Sequence, residues 1–337
     1  MAGAAAARCG RCATPATPPH EHVSAHLRVT ALAGGTGAAK LLRGLMRVVD
    51  PARVTVIGNT GDDTEHWGLH VSPDLDTVTY ALAGRLDAGR GWGLAGETFR
   101  CLEAMGDLGA ETWFNVGDRD LATHLYRTRA LRDGVPLSAV TAELCRRLSV
   151  GARILPMSDA PVRTRVRTPD GWLSFQEYFV REKAQVQVLD VEYAGAATAS
   201  PAPGVLESIR EAELVVVCPS NPVTSVGPVL AVPGIADALA ATRGRVAAVS
   251  PIVGGAAVSG PAGELMRARG LPVSAVGVAA AYAPWLRTLV IDRRDAALVP
   301  ELAHLGVRAV LADIVMTDRE RESALARVVL DLQPSLE

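Results

Sequence analysis

The chain has few cysteines, almost no lysine, no long hydrophobic run and no excess of charge of either sign. Its five cysteines are an odd number spread over 337 residues, which is not a disulfide framework and fits a reducing compartment. No stretch approaches the roughly 18 uninterrupted apolar residues that a membrane-spanning helix needs. Lys plus Arg total 34 and Asp plus Glu total 36, whereas a nucleic-acid-binding domain usually carries a strongly basic face. These absences predict a cytoplasmic protein whose partners are neither membranes nor nucleic acids.

The first 26 residues are rich in Ala, Pro and Thr and show no apolar periodicity. Such a composition cannot bury a core, so we expect residues 1–26 to form a disordered extension. The segment also lacks the apolar stretch of a signal peptide. Two thiols and two imidazoles within it are in principle a zinc ligand set, which is an alternative interpretation. These four residues are Cys9, Cys12, His20 and His22.

From Leu27 onward, short apolar runs that end in Gly, Pro, Asn or Asp alternate with longer helical stretches. This alternation is typical of a parallel α/β sheet. The seven predicted strands are Leu27 to Ala33, Val54 to Ile57, Ile154 to Met157, Leu214 to Cys218, Val246 to Val249, Leu289 to Ile291 and Val307 to Leu311. We predict one doubly wound, Rossmann-like domain over residues 27–325, because these runs span that part of the chain.

An insertion interrupts the predicted sheet at about residues 85–200. Its first part, to about residue 150, has mostly helical patterning and includes a helix from Ser138 to Arg147. Its second part predicts a β-hairpin with strands Val162 to Thr168 and Trp172 to Val180, because Pro-Asp-Gly between them is a turn sequence. The fold prediction is therefore a parallel α/β sheet with a helical and β-hairpin insertion.

A glycine-rich segment follows the first predicted strand and precedes a predicted helix from Leu41 to Val48. Backbone N–H groups at such a helix start can approach an anion closely, which predicts a phosphate site. Only two lysines stand beside 32 arginines, so coding bias does not explain a lysine retained here. The predicted phosphate-binding residues are Gly34, Gly35, Thr36, Gly37 and Lys40. The segment matches neither a Walker loop nor a full dinucleotide fingerprint, and a tight turn without a ligand is the alternative.

Four aspartates follow the second predicted strand, namely Asp62, Asp63, Asp74 and Asp76. Carboxylates gathered at the mouth of one sheet repel one another unless a cation neutralises them. Mg²⁺ suits such a set because it binds carboxylates together with substrate phosphate oxygens and water. We therefore predict a magnesium site on these aspartates. The alternative is that Asp74 or Asp76 caps a helix from Thr77 to Ala83 and that Asp62 closes a turn.

Polar residues in three further loops are candidates for ligand contacts. Arg119 is expected to project as a fork for phosphate or carboxylate, with Asp120 beside it as a helix cap. His124 shares a helix face with Arg127 and is either an acid or ligand contact or a histidine satisfied within its helix. Proline-flanked loops in the second half offer donors suited to a nucleobase or phosphate, with turn chemistry alone as the alternative. Their candidate residues are Ser220, Asn221, Ser225 and Ser250.

Taken together, these loops resemble the CofD/FbiA transferases of deazaflavin coenzyme F-420 biosynthesis, from about residue 28 to 320. Eight ordered motifs carry the resemblance: Gly-Gly-Thr-Gly at 34–37, Asn-Thr-Gly-Asp-Asp at 59–63, Ser-Pro-Asp-Leu-Asp-Thr at 72–77, Gly-Asp-Arg-Asp-Leu-Ala-Thr-His at 117–124, Leu-Pro-Met-Ser-Asp at 155–159, Phe-Gln-Glu-Tyr at 175–178, Pro-Ser-Asn-Pro-Val-Thr-Ser at 219–225 and Ser-Pro-Ile at 250–252. The resemblance implies transfer of a phosphoenolpyruvyl or 2-phospholactyl group from its guanosine diphosphate-activated donor to the ribityl hydroxyl of the deazaflavin Fo. GMP is the leaving group.

The resemblance also implies a homodimer and assigns roles to the candidate residues. Asp76 and Arg119 are expected near Fo, and Ser220, Asn221 and Ser250 near guanosine. The implied catalytic residues are Asp62, Asp63 and Asp76, and Mg²⁺ offsets the charge that grows on the leaving phosphate. Actinobacterial members prefer the phosphoenolpyruvyl donor and archaeal members the phospholactyl donor. The Ala, Arg and Gly rich composition leans towards the former.

Two other functions compete with the transferase. A regulatory protein of the related class that begins with Gly-Gly-Thr-Gly would bind a nucleotide sugar without turnover. Its single ligand would not need the second-substrate wall expected from residues 117–120 and 175–178. A nicotinamide-dependent oxidoreductase would use Asp62 or Asp63 for a ribose contact, but the third glycine of its fingerprint is absent.

Overall fold

A computed structural model of the chain describes residues 27–242 and 245–332. The predicted extension at 1–26, with its alternative zinc ligands, lies outside the described residues. The strands are β1 Val29–Ala33, β2 Val54–Gly58, β3 Thr64–His66, β4 Leu69–Val71, β5 Arg153–Pro156, β6 Arg163–Thr168, β7 Gly171–Ser174, β8 Asp190–Ala194, β9 Leu214–Val217, β10 Val246–Val249, β11 Ile252–Val253, β12 Ala256–Ala257, β13 Thr288–Asp292 and β14 Arg308–Ala312. All seven predicted strands of the main sheet are present.

The main sheet has seven parallel strands in the order β14-β13-β10-β9-β1-β2-β5. The chain enters at β1, builds outward to β5 on one side, and returns to β9 on the other side of β1. The strand order therefore reverses at the β1/β9 boundary, which is where ligands bind in doubly wound folds. The predicted α/β fold with a doubly wound parallel sheet is confirmed.

Both faces of this sheet are covered, which explains the unbroken apolar runs of its strands. Leu32, Ile57 and Val217 point into one hydrophobic core, whereas their neighbours Ala31 and Val56 point into the other. Burial on two faces removes the need for polar alternation along a strand. The helices that cover the sheet or belong to the insertion are α1 Gly35–Leu45, α2 Pro73–Leu82, α3 Arg100–Asp107, α4 Asp118–Arg132, α5 Leu137–Arg147, α6 Val205–Glu211, α7 Gly227–Ala231, α8 Ile235–Ala241, α9 Ala262–Ala268, α10 Ala275–Ala281, α11 Val299–His304 and α12 Arg319–Leu330.

The insertion contains the predicted helices and hairpin, with one correction. Strands β6 and β7 pair antiparallel, and β8 adds a third strand beside β6. The predicted second strand to Val180 is wrong beyond Ser174, because residues Glu177–Arg181 form a π-helical turn. Glu177 and Ser174 explain the change: the Glu177 carboxylate accepts from the Ser174 N–H at 2.8 Å, and the Ser174 hydroxyl accepts from the Glu177 N–H at 3.2 Å. This reciprocal pair starts a helix in the manner of a capping box.

Within the described ranges, no single helix has the length and apolar character required to cross a bilayer. One pair of helical segments, Pro222–Ala231 and Ile235–Ala241, has the combined length and composition of a span, but the pair is bent by 91° at its break. Val223, Val226 and Val229 of this pair are buried in the protein core.

Candidate active site

A cavity of about 390 Å³ lies beyond the carboxyl ends of β1 and β2, on the β2 side of the β1/β9 boundary at which the strand order reverses. Four carboxylates line it, those of Asp62, Asp74, Asp76 and Asp120. Aromatic rings form much of its remaining wall: Tyr80, Trp92, Phe114, Phe175 and Phe179. The cavity thus combines negative charge at its sheet side with flat apolar surfaces, and it takes its walls from the sheet, α2 and the insertion.

The start of α1 is closed by a carboxylate of the protein itself. The helix begins at Gly35 and not at Leu41 as predicted, so Gly35 to Gly37 form its first turn and only Gly34 precedes it. The Gly35 N–H donates to Asp74. A Cβ at Gly34 would stand 2.6 Å from Asp74 Oδ2 and 2.6 Å from the Ser225 Cβ, which explains glycine at this position. Asp74 therefore holds the place at the helix start where the sequence predicts a phosphate.

Asp62 and Asp74 are two buried carboxylates that repel each other. Asp74 also accepts a hydrogen bond from Asn59 Nδ2 at 2.8 Å, but burial raises its pKa to about 6. Burial, followed by the charge of Asp74, raises the pKa of Asp62 well above its usual range. Asp62 Oδ1 is buried and has no hydrogen-bond partner. A buried oxygen of this kind is costly unless a cation or a donor reaches it.

Asp63 does not line the cavity. Its Oδ2 accepts hydrogen bonds from His70 Nε2 at 2.9 Å and from the Ser72 hydroxyl at 3.0 Å. These contacts tie the loop after β2 to the β4–α2 junction. The geometry gives Asp63 a positioning role behind the carboxylates that face the cavity, and its predicted catalytic and metal-binding roles stay predictions.

The floor of the cavity belongs to a buried cluster of two acids and two bases, in which Arg127 lies behind the lining residues. Arg127 contacts both carboxylate oxygens of Asp76, with Nη1 at 3.1 Å from Oδ2 and Nη2 bonded to Oδ1. Burial raises the pKa of Asp76, and the guanidinium of Arg127 opposes that rise. His124 lies between the acids, with Nδ1 3.8 Å from Asp76 Oδ2 and Nε2 3.6 Å from Asp120 Oδ2. Asp76 therefore pairs most closely with Arg127. The sequence predicts for Arg127 only that it shares a helix face with His124.

Asp120 completes this cluster. Tyr80 donates its hydroxyl to Asp120 Oδ1 at 2.6 Å. Although burial acts to raise the pKa of Asp120, its interactions with His124 and Tyr80 leave that pKa lowered. One ligand atom from each of Asp76, Asp120 and His124 lies within 4.8 Å of the others, a spacing that a metal ion could span. However, Arg127 and Tyr80 already bond to carboxylate oxygens of Asp76 and Asp120, so fewer oxygen atoms of these three residues are free to bind a metal.

The capping alternatives for the aspartates are wrong. Helix α2 begins at Pro73, so Ser72 is its N-cap and Asp74 and Asp76 lie inside its first turn. The turn after β2 is closed by Asn59, whose Oδ1 accepts from the Gly61 N–H at 2.8 Å, and not by Asp62.

Asp120 is not a helix cap either. Helix α4 begins two residues earlier, at Asp118, and the Glu97 carboxylate accepts the N–H groups of Arg119 and Asp120 at 2.8 and 2.7 Å. A glutamate from the segment before α3 therefore supplies the cap that the local sequence suggests for Asp120.

Two predicted ligand cations point away from the cavity. Lys40 lies in the second turn of α1, and its Nζ donates to the Met316 carbonyl at 3.1 Å. Arg119 is exposed, and its Nη1 donates to the Ala95 carbonyl at 2.8 Å. Neither residue is among those that line the cavity. Because α1 starts earlier than predicted, Lys40 faces the C-terminal segment.

The polar residues of the second half bond either within their own loops or to Gly34, at the start of α1. The Ser220 hydroxyl donates to the Gly34 carbonyl at 2.9 Å, and Asn221 Oδ1 accepts from the Val223 N–H at 2.9 Å. The Ser250 hydroxyl donates to the Ile252 carbonyl at 2.8 Å, and Ser225 is buried against Gly34. Turn chemistry accounts for the bonds of Asn221 and Ser250, whereas Ser220 and Ser225 contact Gly34 before α1. None of the four lines the cavity, and their role toward guanosine stays a prediction.

Several known proteins are similar to this chain in sequence or in fold. A family model described as 2-phospho-L-lactate transferase CofD matches residues 29–330. A phosphoenolpyruvate transferase from Streptomyces griseus is 46% identical over 312 residues, covering 91% of this chain and 98% of that protein. A 2-phospho-L-lactate transferase from Methanosarcina acetivorans is 44% identical over 301 residues, covering 89% and 97%. A crystal structure of a UPF0052 family protein from Bacillus halodurans shares the fold, with a TM-score of 0.60 at 19% identity over 90% and 98% of the two chains.

The sequence relatives discriminate between the three functions considered above. Both are named as transferases, and neither is named as a nucleotide-sugar-binding regulator or an oxidoreductase. The family match covers nearly all of the described residues, so the resemblance carried by the eight motifs is confirmed. The chain belongs to the CofD family of 2-phospho-L-lactate transferases and is a transferase.

Proposed function

We propose that the chain transfers a phosphoenolpyruvyl or 2-phospholactyl group from its guanosine diphosphate-activated donor to the ribityl hydroxyl of the deazaflavin Fo, with release of GMP. The main support for this proposal is that four buried carboxylates and several aromatic rings line the same cavity. The Streptomyces and Methanosarcina relatives are named for different three-carbon acids at 46% and 44% identity. Composition favours the phosphoenolpyruvyl donor, and the assay below separates the two.

The aromatic wall suits a flat acceptor ring. Phe175 and Phe179 are stacked, with ring centroids 5.6 Å apart and planes inclined by 9°. Trp92 and Phe114 line the same cavity, and Phe179 and Trp92 are each partly exposed. Stacking on such faces is favourable for an aromatic heterocycle. A deazaflavin seated there would reach the carboxylates with its polar ribityl chain.

Asp62 and Asp74 are the residues that fit Mg²⁺ best. Both are carboxylates, which Mg²⁺ prefers as ligands, and Asp62 has a buried oxygen without a partner. Their mutual repulsion would be relieved by a divalent cation. Asp76 is already neutralised by Arg127, and Asp63 is turned toward His70, so we propose Asp62 and Asp74 as the ligands within the predicted set of four. When bound, Mg²⁺ supplies positive charge beside the diphosphate and the leaving GMP phosphate.

At phosphorus, the transfer forms one bond and breaks one. The ribityl oxygen attacks the phosphorus that carries the three-carbon acid, and the bond from that phosphorus to the bridging oxygen breaks. GMP leaves with that oxygen and its electron pair, while the hydroxyl proton passes to His124 Nε2, which has no hydrogen-bond partner and lies 3.6 Å from Asp120 Oδ2. Asp76, fixed by Arg127, positions this pair. Phosphoryl transfer depends mainly on positioning and electrostatics, which matches a site without a nucleophilic triad.

The test is incubation of the protein with Fo, Mg²⁺ and either donor in separate tubes, followed by mass analysis of the deazaflavin and of released GMP. We expect an Fo adduct and an equal amount of GMP with one donor. Asp62→Asn should lose turnover by at least about 100-fold, since an electrostatic contribution to the transition state is removed. Asp170→Asn, in the exposed hairpin turn, is the matched control and should keep full turnover. Absence of an adduct with both donors, in protein that binds GDP, would contradict the proposal.

A further inference from the structure

We infer that Arg90 binds the carboxylate of the three-carbon acid in the activated donor, an assignment that rests on the function proposed above. Arg90 lines the cavity, and its Nε is buried without a hydrogen-bond partner. Guanidinium groups carry five N–H donors and no acceptor. A buried donor without a partner is unfavourable until a ligand supplies an acceptor.

The cavity is lined by acidic side chains, so a negatively charged donor needs a positively charged side chain there. Its lining contains four aspartates and only one guanidinium, that of Arg90. The proposed donor carries a diphosphate and a carboxylate, both negative. We place the diphosphate beside Asp62 and Asp74 because Mg²⁺ would mediate there. The carboxylate needs a separate cation, and within the described lining Arg90 is the guanidinium that can meet it.

The guanidinium is held in place before any ligand binds. Its carbon lies 5.1 Å from the ring centroid of Trp92 and 5.0 Å from that of Phe99. Nη2 donates to Asp87 Oδ2 at 3.0 Å and to the Leu94 carbonyl at 3.2 Å. The rings hold the guanidinium plane and Nη2 is already bonded, whereas the N–H of Nε has no partner and is available to a ligand. Little side-chain entropy would then be lost on binding.

The loop that carries Arg90 is fastened to the start of α1. The Thr36 hydroxyl donates to the Gly91 carbonyl at 3.3 Å, and Leu86 and Leu94 form an antiparallel bridge across the loop. Gly91 has φ +77°, a left-handed conformation that glycine adopts without strain. Arg90 thus stands next to the first turn of α1, on the rim of the same cavity as Asp74. This placement allows one donor molecule to contact both.

The experiment measures dissociation constants of GDP and of the guanosine diphosphate-linked acid by calorimetry, with Mg²⁺ and without Fo so that no turnover occurs. For Arg90→Gln we expect donor affinity to fall about 10- to 100-fold, the range for a lost charge-assisted hydrogen bond. GDP affinity should stay within twofold, because GDP has no carboxylate. Arg90→Lys should recover part of the loss, and its folded state is checked by thermal melting. Arg85→Gln, at an exposed arginine of the same loop, is the matched control.

Two results would overturn the inference. Equal losses of GDP and donor affinity would assign Arg90 to the phosphates, and unchanged donor affinity in well-folded Arg90→Gln would remove it from the site. Failure of the proposed function would give a different result, because the wild-type protein itself would then form no Fo adduct with either donor. A wild-type protein that forms the adduct, beside an Arg90→Gln variant with normal donor affinity, would contradict this inference alone.

Discussion

The buried aspartates of the cavity differ in their neighbours, and the neighbours determine what each carboxylate can do. Asp76 is paired with Arg127, and Asp120 accepts a hydrogen bond from Tyr80. Asp62 has an oxygen without any partner. A buried charge is tolerated only when it is paired or binds a cation. The residue type is the same in all three cases, but Asp62 is the one left for a ligand.

Lys40 gives a prediction at the same scale. Its ammonium bonds to the Met316 carbonyl and lies outside the cavity, so Lys40→Ala should leave GDP affinity unchanged. Loss of that hydrogen bond should lower the free energy of unfolding by about 1 kcal/mol, as measured by urea denaturation. The other lysine, exposed Lys183, is the matched control, and Lys183→Ala should change neither quantity. A tenfold loss of GDP affinity at unchanged stability would restore the phosphate role that the sequence suggests.

At the scale of elements, the contact of α1 with α12 depends on a helical glycine. A Cβ at Gly44 would stand 2.2 Å from the Glu322 carbonyl oxygen, so the two helices pack backbone to backbone there. Arg43 binds the Glu322 side chain next to it, with Nη2 2.5 Å from Oε1. Helix α12 thereby covers α1 and supports the strand-to-helix turn that borders the cavity.

Gly44→Ala tests this packing. Alanine is the better helix former by about 1 kcal/mol, but the clash with the α12 backbone should outweigh it and lower stability by about 1 to 3 kcal/mol. Gly263→Ala in α9 is the control, because a Cβ there would meet nothing closer than the Val273 side chain, at 3.4 Å. That substitution should be neutral or stabilising in thermal melts. An increased melting temperature for Gly44→Ala would contradict the close packing.

At the scale of the whole molecule, the fold concentrates buried carboxylates beyond the carboxyl ends of β1 and β2, and this links stability to pH. Burial raises the pKa of Asp74 from 3.8 to about 6, and that of Asp62 rises as well. The folded protein therefore binds these protons more tightly than the unfolded chain. For Asp74, this contribution to stability is present below about pH 4 and is lost as the pH rises through about 6.

We expect the doubly substituted Asp62→Asn/Asp74→Asn protein to lose this dependence. Without divalent cations, the melting temperature of the wild-type protein should decrease relative to this variant between pH 5 and pH 7.5, by a few degrees. Added Mg²⁺ at pH 7.5 should raise the wild-type melting temperature and leave the variant unchanged, because binding to the folded state stabilises it. Parallel pH profiles for the two proteins would contradict the raised pKa values. Asp170→Asn, in the exposed hairpin turn, should follow the wild-type profile.

Most of the fold could be predicted because its strongest signal is local. The seven strands are unbroken apolar runs, and such runs are what burial on both faces of a parallel sheet requires. The hairpin strand that should have reached Val180 ends at Ser174, because Glu177 starts a helix there. The sequence predicts that the helix after the glycine segment begins at Leu41, whereas Gly35 already belongs to α1. These errors concern where an element begins or ends, which neighbouring residues decide by small energy differences.

The sequence by itself determined the order of strands along the chain, the loops that meet at their carboxyl ends, and the family. Only the tertiary structure decided which candidate residues face the cavity. Arg127 meets Asp76 across 51 residues, and Met316 meets Lys40 across 276. Burial and hydrogen-bond partners depend on such distant contacts, and these set the charge and availability of each side chain. Local sequence patterns do not encode these distant contacts. Arg90 and Arg127 are therefore identified as site residues only from the tertiary structure.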